Sequence, residues 1–351
     1  MTPSNSRFTA KRQALLAKLF PSGVPPLWCP LLTHYRDDGS IDSARIGAHI
    51  RHLYPAVRGL LVPGTTGDAW ELDDREIRTL IECVIGEVVP LRVSLLIGVL
   101  RPDTETILRT LADTMKWLKL RTGADDNLTA MARSGVCGFT ICPPSGQELD
   151  QQAIQSSLEA ALQLGFPMAI YQLPQVTKNE MSPALVAELV ERFDNFYLLK
   201  DTSGQDRVAL AGVNGIFLVR GAEGNYTQHL AGNGGRYDGF LLSTANCFGK
   251  QLAEVIEAGH GDDLAAAAET FSLKLGLLFD ELAARAVEVP WGNPFANANK
   301  AMDHFFAYGP GALSVSPPML HAKHRMPRQL IEAASTALTR HGLMPMQGYL
   351  S

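Results

Sequence analysis

Short apolar runs recur along the chain, and between them apolar residues fall at helical spacing. Runs at 27–32, 59–64, 92–98, 138–144, 167–174, 196–202, 216–222 and 239–246 are bounded by Gly, Pro and polar clusters and read as eight strands. Helical periodicity marks 42–57, 103–120 and 150–164. Another helix follows Asp73, which has Glu76 at capping-box spacing, and another opens at Ser182-Pro183 with a serine cap and a proline in its first position. The stretch Arg121 to Asn127 carries no strand or helix signal and reads as a polar surface excursion. Strands that alternate with helices imply parallel pairing and right-handed crossovers. The expected architecture is an α/β fold, a (β/α)8 TIM barrel over 27–260, close to the ~250 residues typical of that fold. A leading segment, 1–26, precedes it. A C-terminal segment, 261–351, follows, with three helices expected at 262–285, 295–308 and 328–342.

Composition narrows the partners. The chain has 351 residues, which suits one large barrel or two ordinary domains, and its 46% apolar content can fill a sizeable core. A net charge of −5 argues against nucleic acid or an anionic membrane as partner, and no apolar run reaches membrane-spanning length. The five cysteines are odd in number, scattered and without a CxxC pair, so they read as free thiols in a reducing, cytoplasmic setting. The nine histidines show neither HxH nor HExxH spacing, and no metal is expected. No acidic residue precedes Asp37, while Arg7, Lys11, Arg12 and Lys18 are basic and Phe8 to Phe20 is amphipathic. That pattern predicts a short helix packed beside the barrel; an organelle transit peptide is the alternative, and a secretory signal is excluded by the lack of an apolar h-region.

In a parallel barrel all strand carboxyl ends meet at one mouth. Phe196-Tyr197-Leu198-Leu199 runs straight into Lys200, which places a lysine at the end of the sixth strand. Burial among apolar walls disfavours the charged form, and the free amine can attack a ketone to form a Schiff base. The alternative is a lysine that snorkels to solvent. Gly64-Thr65-Thr66-Gly67 ends the second strand, opposite the sixth, and offers backbone N–H groups and two hydroxyls to a carboxylate, unless it is an ordinary turn. Tyr171, on the fifth strand, supplies a phenol for proton transfer, unless it is a core tyrosine. Gly221-Ala222-Glu223-Gly224 has the look of a phosphate loop, but Glu223 would repel a phosphate. Cys29, Cys142 and Cys247 read as buried, inert thiols near the mouth.

Together these stretches resemble the dihydrodipicolinate synthase / N-acetylneuraminate lyase family of class I, Schiff-base aldolases. The resemblance rests on Gly64-Thr65-Thr66-Gly67, Tyr171-Gln172-Leu173-Pro174, Lys200-Asp201-Thr202-Ser203-Gly204, Ser243 with Asn246, Asn293-Pro294 and Arg325-Met326-Pro327. It implies that Lys200 forms the imine with pyruvate or another 2-oxo acid. It further implies that Tyr171 is the acid/base, that Thr65 relays protons, and that Thr66, Gly64, Gly67 and Ser243 line the substrate site. No cofactor beyond the lysine imine is implied, and a homotetramer or homodimer is.

The chain also departs from the family pattern: Gln172 stands where the family usually has Asn, and Thr202 where it has Ser. Asp68 stands where the family has Glu. Val176 stands where true dihydrodipicolinate synthases place an arginine on the second substrate's carboxylate. Cys142-Pro143-Pro144-Ser145 lacks their relay tyrosine. The expected activity is therefore a carbon–carbon lyase, a class I aldolase on 2-oxo acids that is not a true dihydrodipicolinate synthase. The alternatives are a 2-keto-3-deoxy sugar acid dehydratase working through the same imine and a sensor that binds keto acids without turnover.

Overall fold

A computed structural model describes residues 7–258 and 262–350. Eight parallel strands close into a barrel in sequence order: β1 (Leu27–Pro30), β2 (Gly59–Val62), β3 (Ser94–Val99), β4 (Val136–Ile141), β5 (Met168–Gln172), β6 (Phe196–Asp201), β7 (Phe217–Arg220) and β8 (Gly239–Leu241). β8 pairs with β1 to complete the ring. Helix α1 (Ala10–Leu19) precedes the barrel. The crossovers carry α2 (Ser43–Leu53), α3 (Asp74–Leu91), α4 (Thr104–Thr122), α5 (Asn127–Arg133), α6 (Gln151–Leu162), α7 (Pro174–Thr177), α8 (Pro183–Arg192), α9 (Arg207–Leu210) and α10 (Tyr226–His229). Then come α11 (Ala245–Glu257), α12 (Asp262–Ala286), α13 (Pro294–Tyr308) and α14 (Arg328–Arg340). The expected boundary at 260/261 lies outside the described residues.

Side chains fill the barrel rather than leaving a pore. Trp28, Leu61, Leu96, Ala169, Leu198, Val219 and Leu241 form one buried cluster, and Leu16 and Phe20 close it from below. Phe20 meets Trp28 edge-on at 6.1 Å. Helix α1 and Phe20 thus plug the barrel, and buried Arg12 fastens the helix by donating to the carbonyls of Gly215, Val190 and Phe193 at 2.8, 2.7 and 2.8 Å. A second, larger cluster lies between the strands and the surrounding helices. The capping box at α3 forms in full, with Asp73 and Glu76 each accepting from the other's backbone N–H.

Two local expectations change. The polar stretch Arg121 to Asn127 is largely helical at its ends: α4 runs through Thr122 before Gly123 ends it at φ 63°, and α5 begins at Asn127. Asp126 caps α5 by accepting from Thr129 N–H, and Ala130 and Met131 are buried, so a single turn of apolar contact suffices. The eighth strand stops at Leu241 instead of running to Asn246, because Ser243 to Asn246 turn into α11.

α12, α13 and α14 pack on one another beside the carboxyl ends of the strands, and α13 also touches the turn at Thr65–Gly67. α13 carries buried polar residues, among them Lys300, Asp303 and His304. No helix among the described residues is long and apolar enough to cross a membrane.

Candidate active site

A cavity of about 430 Å³ opens at the carboxyl ends of the strands, and Thr65, Thr66, Tyr171, Lys200 and Ser243 all line it. Tyr171 and Lys200 are register partners on β5 and β6. The Lys200 Nζ stands 3.9 Å from the Tyr171 ring centroid, and both residues are only 3% exposed. Burial drives the Lys200 pKa down to about 7; Cys142, Glu223 and Cys29 act in the opposite direction. Both thiols are themselves pushed up by burial. They are therefore neutral near pH 7, and the Glu223 carboxylate is the anion that steadies the ammonium. The backbone leaves room for this lysine at Gly221, where a Cβ would stand 2.6 Å from Lys200 Cε and 2.5 Å from Thr202 Cγ2.

Burial also raises the Tyr171 phenol, and hydrogen bonding with Thr65 and Thr202 pulls it part of the way back. Trp70 Nε1 donates to Thr65 Oγ1 at 3.1 Å, which orients that hydroxyl. Thr65 and Thr66 sit in a single 3-10 turn whose ends are pinned. Gly67 N–H donates to Gly64 O at 2.9 Å, and Thr33 Oγ1 donates to Gly67 O at 2.7 Å. A Cβ on Gly67 would lie 2.4 Å from Leu31 O. Gly64 and Gly67 shape the turn, and neither lines the cavity.

Ser243 reaches the cavity, but its hydroxyl donates to Glu223 Oε1 at 2.6 Å. Glu223 also accepts from Thr244 N–H at 3.0 Å, Thr244 Oγ1 at 2.7 Å and Tyr226 OH at 2.9 Å. The loop with the look of a phosphate cradle therefore presents a fixed carboxylate to the cavity. Asn246 faces inward too, donating to Pro30 O and Ser243 O and accepting from Leu32 N–H, so it ties the end of β1 to the end of β8.

The far wall comes from the C-terminal segment. Phe279 and Asp280 of α12 and Asn293, Pro294 and Phe295 at the start of α13 line it, with the Phe279 and Phe295 rings stacked at 6.1 Å. Asn293-Pro294 is legible in the sequence through the family resemblance. Phe279, Asp280, Phe295 and Trp70 are not, since none belongs to a chemical motif. Val176 lines the cavity at the position where an anchoring guanidinium is missing from the sequence. Lys178 and Arg207 do not replace it: Lys178 Nζ donates to Gln175 O, and Arg207 lies 3.6 Å from Glu180. Cys142 packs against Tyr171 and Leu173 in a small apolar cluster.

One buried group has metal-like composition: His34, His49 and Asp303. Its lone pairs are committed elsewhere. His49 Nε2 must donate to Asn246 O at 2.8 Å, so His49 Nδ1 accepts from His34 Nε2 at 3.0 Å. Asp303 accepts from Arg45 at 2.9 Å and from Tyr349 OH at 2.9 Å. A cation at this point would face the Arg45 guanidinium, and the set does not fit a metal.

Known proteins resemble this chain in sequence and in fold. Residues 122–294 match the model of the dihydrodipicolinate synthetase family. The match spans just under half of the chain. The matched segment contains Tyr171, Lys200, Ser243 and Asn293-Pro294; the turn at Thr65–Gly67 lies outside it, yet the fold brings it to the same cavity. A 4-hydroxy-tetrahydrodipicolinate synthase of Symbiobacterium thermophilum is 26% identical over 243 residues, covering 68% of this chain and 76% of the relative. A prophage protein of the dihydrodipicolinic acid synthase family from E. coli, solved in complex with pyruvate, superposes with a TM-score of 0.65 at 20% identity, covering 91% of this chain and 99% of that one. A Sulfolobus 2-keto-3-deoxygluconate aldolase, solved with D-KDPG, superposes with a TM-score of 0.63 at 16% identity, covering 91% and 99%. At such identities the two structures share the fold.

Proposed function

We propose that this protein is a Schiff-base-forming lyase of the class I aldolase type that acts on pyruvate or another 2-oxo acid, and that its second substrate is not aspartate semialdehyde. The observation that carries the reading is the buried Lys200 amine, its pKa lowered to about 7, set against the Tyr171 ring in a cavity also reached by Thr65 and Thr66. The substrate carboxylate is met by the Thr65 and Thr66 hydroxyls and amides, since the Gly67 amide is engaged within the turn. The amine adds to the ketone carbon; the Tyr171 phenol then protonates the departing hydroxyl, so the carbinolamine loses water and leaves an iminium beside a phenolate. Cleavage of the C–C bond between the β and γ carbons sends its electron pair toward the iminium and leaves an enamine, with the γ fragment departing as an aldehyde after losing its hydroxyl proton. Tyr171 accepts that proton and returns it to the enamine carbon; water then releases the 2-oxo acid and restores the amine. The Glu223 carboxylate steadies the positive iminium.

The specificity reading rests on the charges around the cavity. Among the described lining residues the carboxylates are Glu223 and Asp280, and Lys200 is the sole cation, already engaged in the imine. A carboxylate tail on the second substrate finds no free cation among these residues. An uncharged, hydroxylated tail suits hydrogen-bond acceptors of this kind.

The test is incubation of the purified protein with pyruvate plus borohydride, then with a panel of 2-keto-3-deoxy sugar acids. Release of free pyruvate supports the aldolase reading. A dehydrated product would replace it with the dehydratase that shares the same iminium. Trapping without turnover of any panel member would favour a keto-acid sensor.

A further inference from the structure

Asp68 follows the Thr65–Gly67 turn directly and sits in the left-handed region at φ 62°. It is 3% exposed. Its Oδ2 accepts from Tyr35 OH at 2.8 Å and from Lys300 Nζ at 2.5 Å. Lys300 belongs to α13, is 2% exposed, and also lies 5.0 Å from the Tyr35 ring centroid. A carboxylate and an ammonium this deeply buried persist only as a pair, because either alone would have to be hydrated or neutralised. The pair therefore locks two distant parts of the molecule: the turn that presents Thr65 and Thr66, and the helix whose first residues form the far wall of the cavity.

We propose that Lys300 is a positioning residue for substrate binding: by pairing with Asp68 it fixes the Thr65–Thr66 turn in the conformation that receives the 2-oxo acid carboxylate, and it couples that turn to the C-terminal helices. The lock bears on the Thr65 and Thr66 hydroxyls because Asp68 closes their single 3-10 turn directly, its N–H donating to Thr65 O at 3.2 Å, while α13, which carries Lys300, packs against the same turn. The lysine is not among the residues that line the cavity. Its effect falls on affinity for the 2-oxo acid, while the Lys200–Tyr171 pair that performs the chemistry stays on its own strands. This inference rests on the lyase reading for its ligand, and its test separates the two.

The experiment compares wild type, Lys300→Met, Asp68→Asn and the double variant, each checked for folding by circular dichroism. Hydrogen exchange of the ligand-free protein is followed on peptides covering 59–72. In parallel, the pyruvate concentration for half-maximal borohydride trapping is measured. Lys300→Met strands the Asp68 carboxylate, so exchange in the turn is expected to quicken and the half-trapping concentration to rise about tenfold or more, while trapping at saturating pyruvate stays near wild type. In the double variant the amide introduced by Asp68→Asn keeps the Tyr35 contact without an unpaired charge. Both readings are then expected to return toward wild type, the sign of coupling between contacting residues. Wild-type exchange and wild-type half-trapping in folded Lys300→Met would overturn the proposal, as would a double variant worse than Lys300→Met. Should Lys300→Met fail to fold, Asp68→Asn alone decides: loosened exchange with a raised half-trapping concentration supports the lock, and wild-type values refute it. If the wild-type protein traps no pyruvate, the lyase reading falls, and the exchange comparison still decides whether Lys300 holds the turn.

Discussion

Lys200 and Tyr171 are opposite one another on adjacent parallel strands, with the lysine nitrogen 3.9 Å from the centre of the phenol ring. An aromatic face attracts an ammonium, by roughly 2 kcal/mol when both are desolvated. Burial acts the other way and prevails, since the Lys200 pKa is lowered from 10.5 to about 7. The ring is close enough to hold the lysine in place and too weak an acceptor to keep it charged. That balance leaves a share of the amine uncharged at neutral pH, which is what the proposed imine chemistry needs.

Borohydride treatment with pyruvate is expected to add one pyruvate-derived mass per chain, on the peptide containing Lys200. Lys200→Ala and Lys200→Arg should both trap nothing, because alanine has no amine and guanidinium stays protonated. Trapping on Lys200→Ala would move the nucleophile elsewhere. The rate of trapping should rise with pH through about 7, where the amine loses its proton.

The same depressed pKa predicts a stability effect. Between the folded value of about 7 and the ordinary value of 10.5 the unfolded chain binds more protons at this lysine than the folded one, so this group's penalty is full below pH 7 and fades as pH rises toward 10.5. Lys200→Met should therefore raise Tm, most of all below pH 7, with the gain shrinking in alkaline buffer. An equal or lower Tm for Lys200→Met at pH 6 would contradict the burial argument.

Tyr171→Phe removes one hydroxyl and little volume. Positioned acid/base help contributes ~10²–10⁴ in rate, so turnover should fall by that order while trapped pyruvate at saturation and the fold are retained. Unchanged turnover would make Tyr171 a packing residue.

The barrel and the buried lysine at its mouth are legible because both are written locally. Phe196 to Leu199 is a buried apolar run, and its end is the strand's end, so the sequence alone puts Lys200 at the mouth. Helix starts are legible where a short polar side chain precedes the periodic run, as at Asp73 and Ser182. α5 escapes sequence reading because one cap and two buried residues are too little signal in a polar stretch. The Lys300–Asp68 pair is invisible for a different reason: its members are 232 positions apart and only the closed fold brings them together. Ser243 lies at the cavity as expected, but its donation to Glu223 depends on how the loop after β7 turns back, which no spacing encodes.

Val176 leads to a substrate prediction. A charge-assisted anchor contributes ~1.5–3 kcal/mol, or about tenfold to more than a hundredfold at ~1.4 kcal/mol per factor of ten. Without it, condensation of pyruvate with aspartate semialdehyde should be negligible in a coupled synthase assay, even where pyruvate is trapped at Lys200. Efficient synthase turnover would refute this and require another anchor than Lys178 or Arg207, which are turned to Gln175 and Glu180.

Glu223 makes the last test electrostatic. Its carboxylate is held by Ser243, Thr244 and Tyr226 and raises the Lys200 pKa against the larger effect of burial. Removing that charge leaves burial less opposed, so in Glu223→Gln the lysine should lose its proton at a lower pH than about 7. The acid limb of the trapping-rate profile should move to lower pH, and trapping at pH 6 should become faster relative to the plateau. The glutamine also turns an amide toward donors that otherwise meet a carboxylate, a conflict that costs about 1–3 kcal/mol, so some loss of Tm is expected alongside. These two effects are separable: lost packing alone lowers the plateau without moving the limb, whereas a lost charge moves the limb. A limb that stays in place, or moves to higher pH, would show that Glu223 does not act on Lys200 and that burial and the other neighbours of the amine set its protonation.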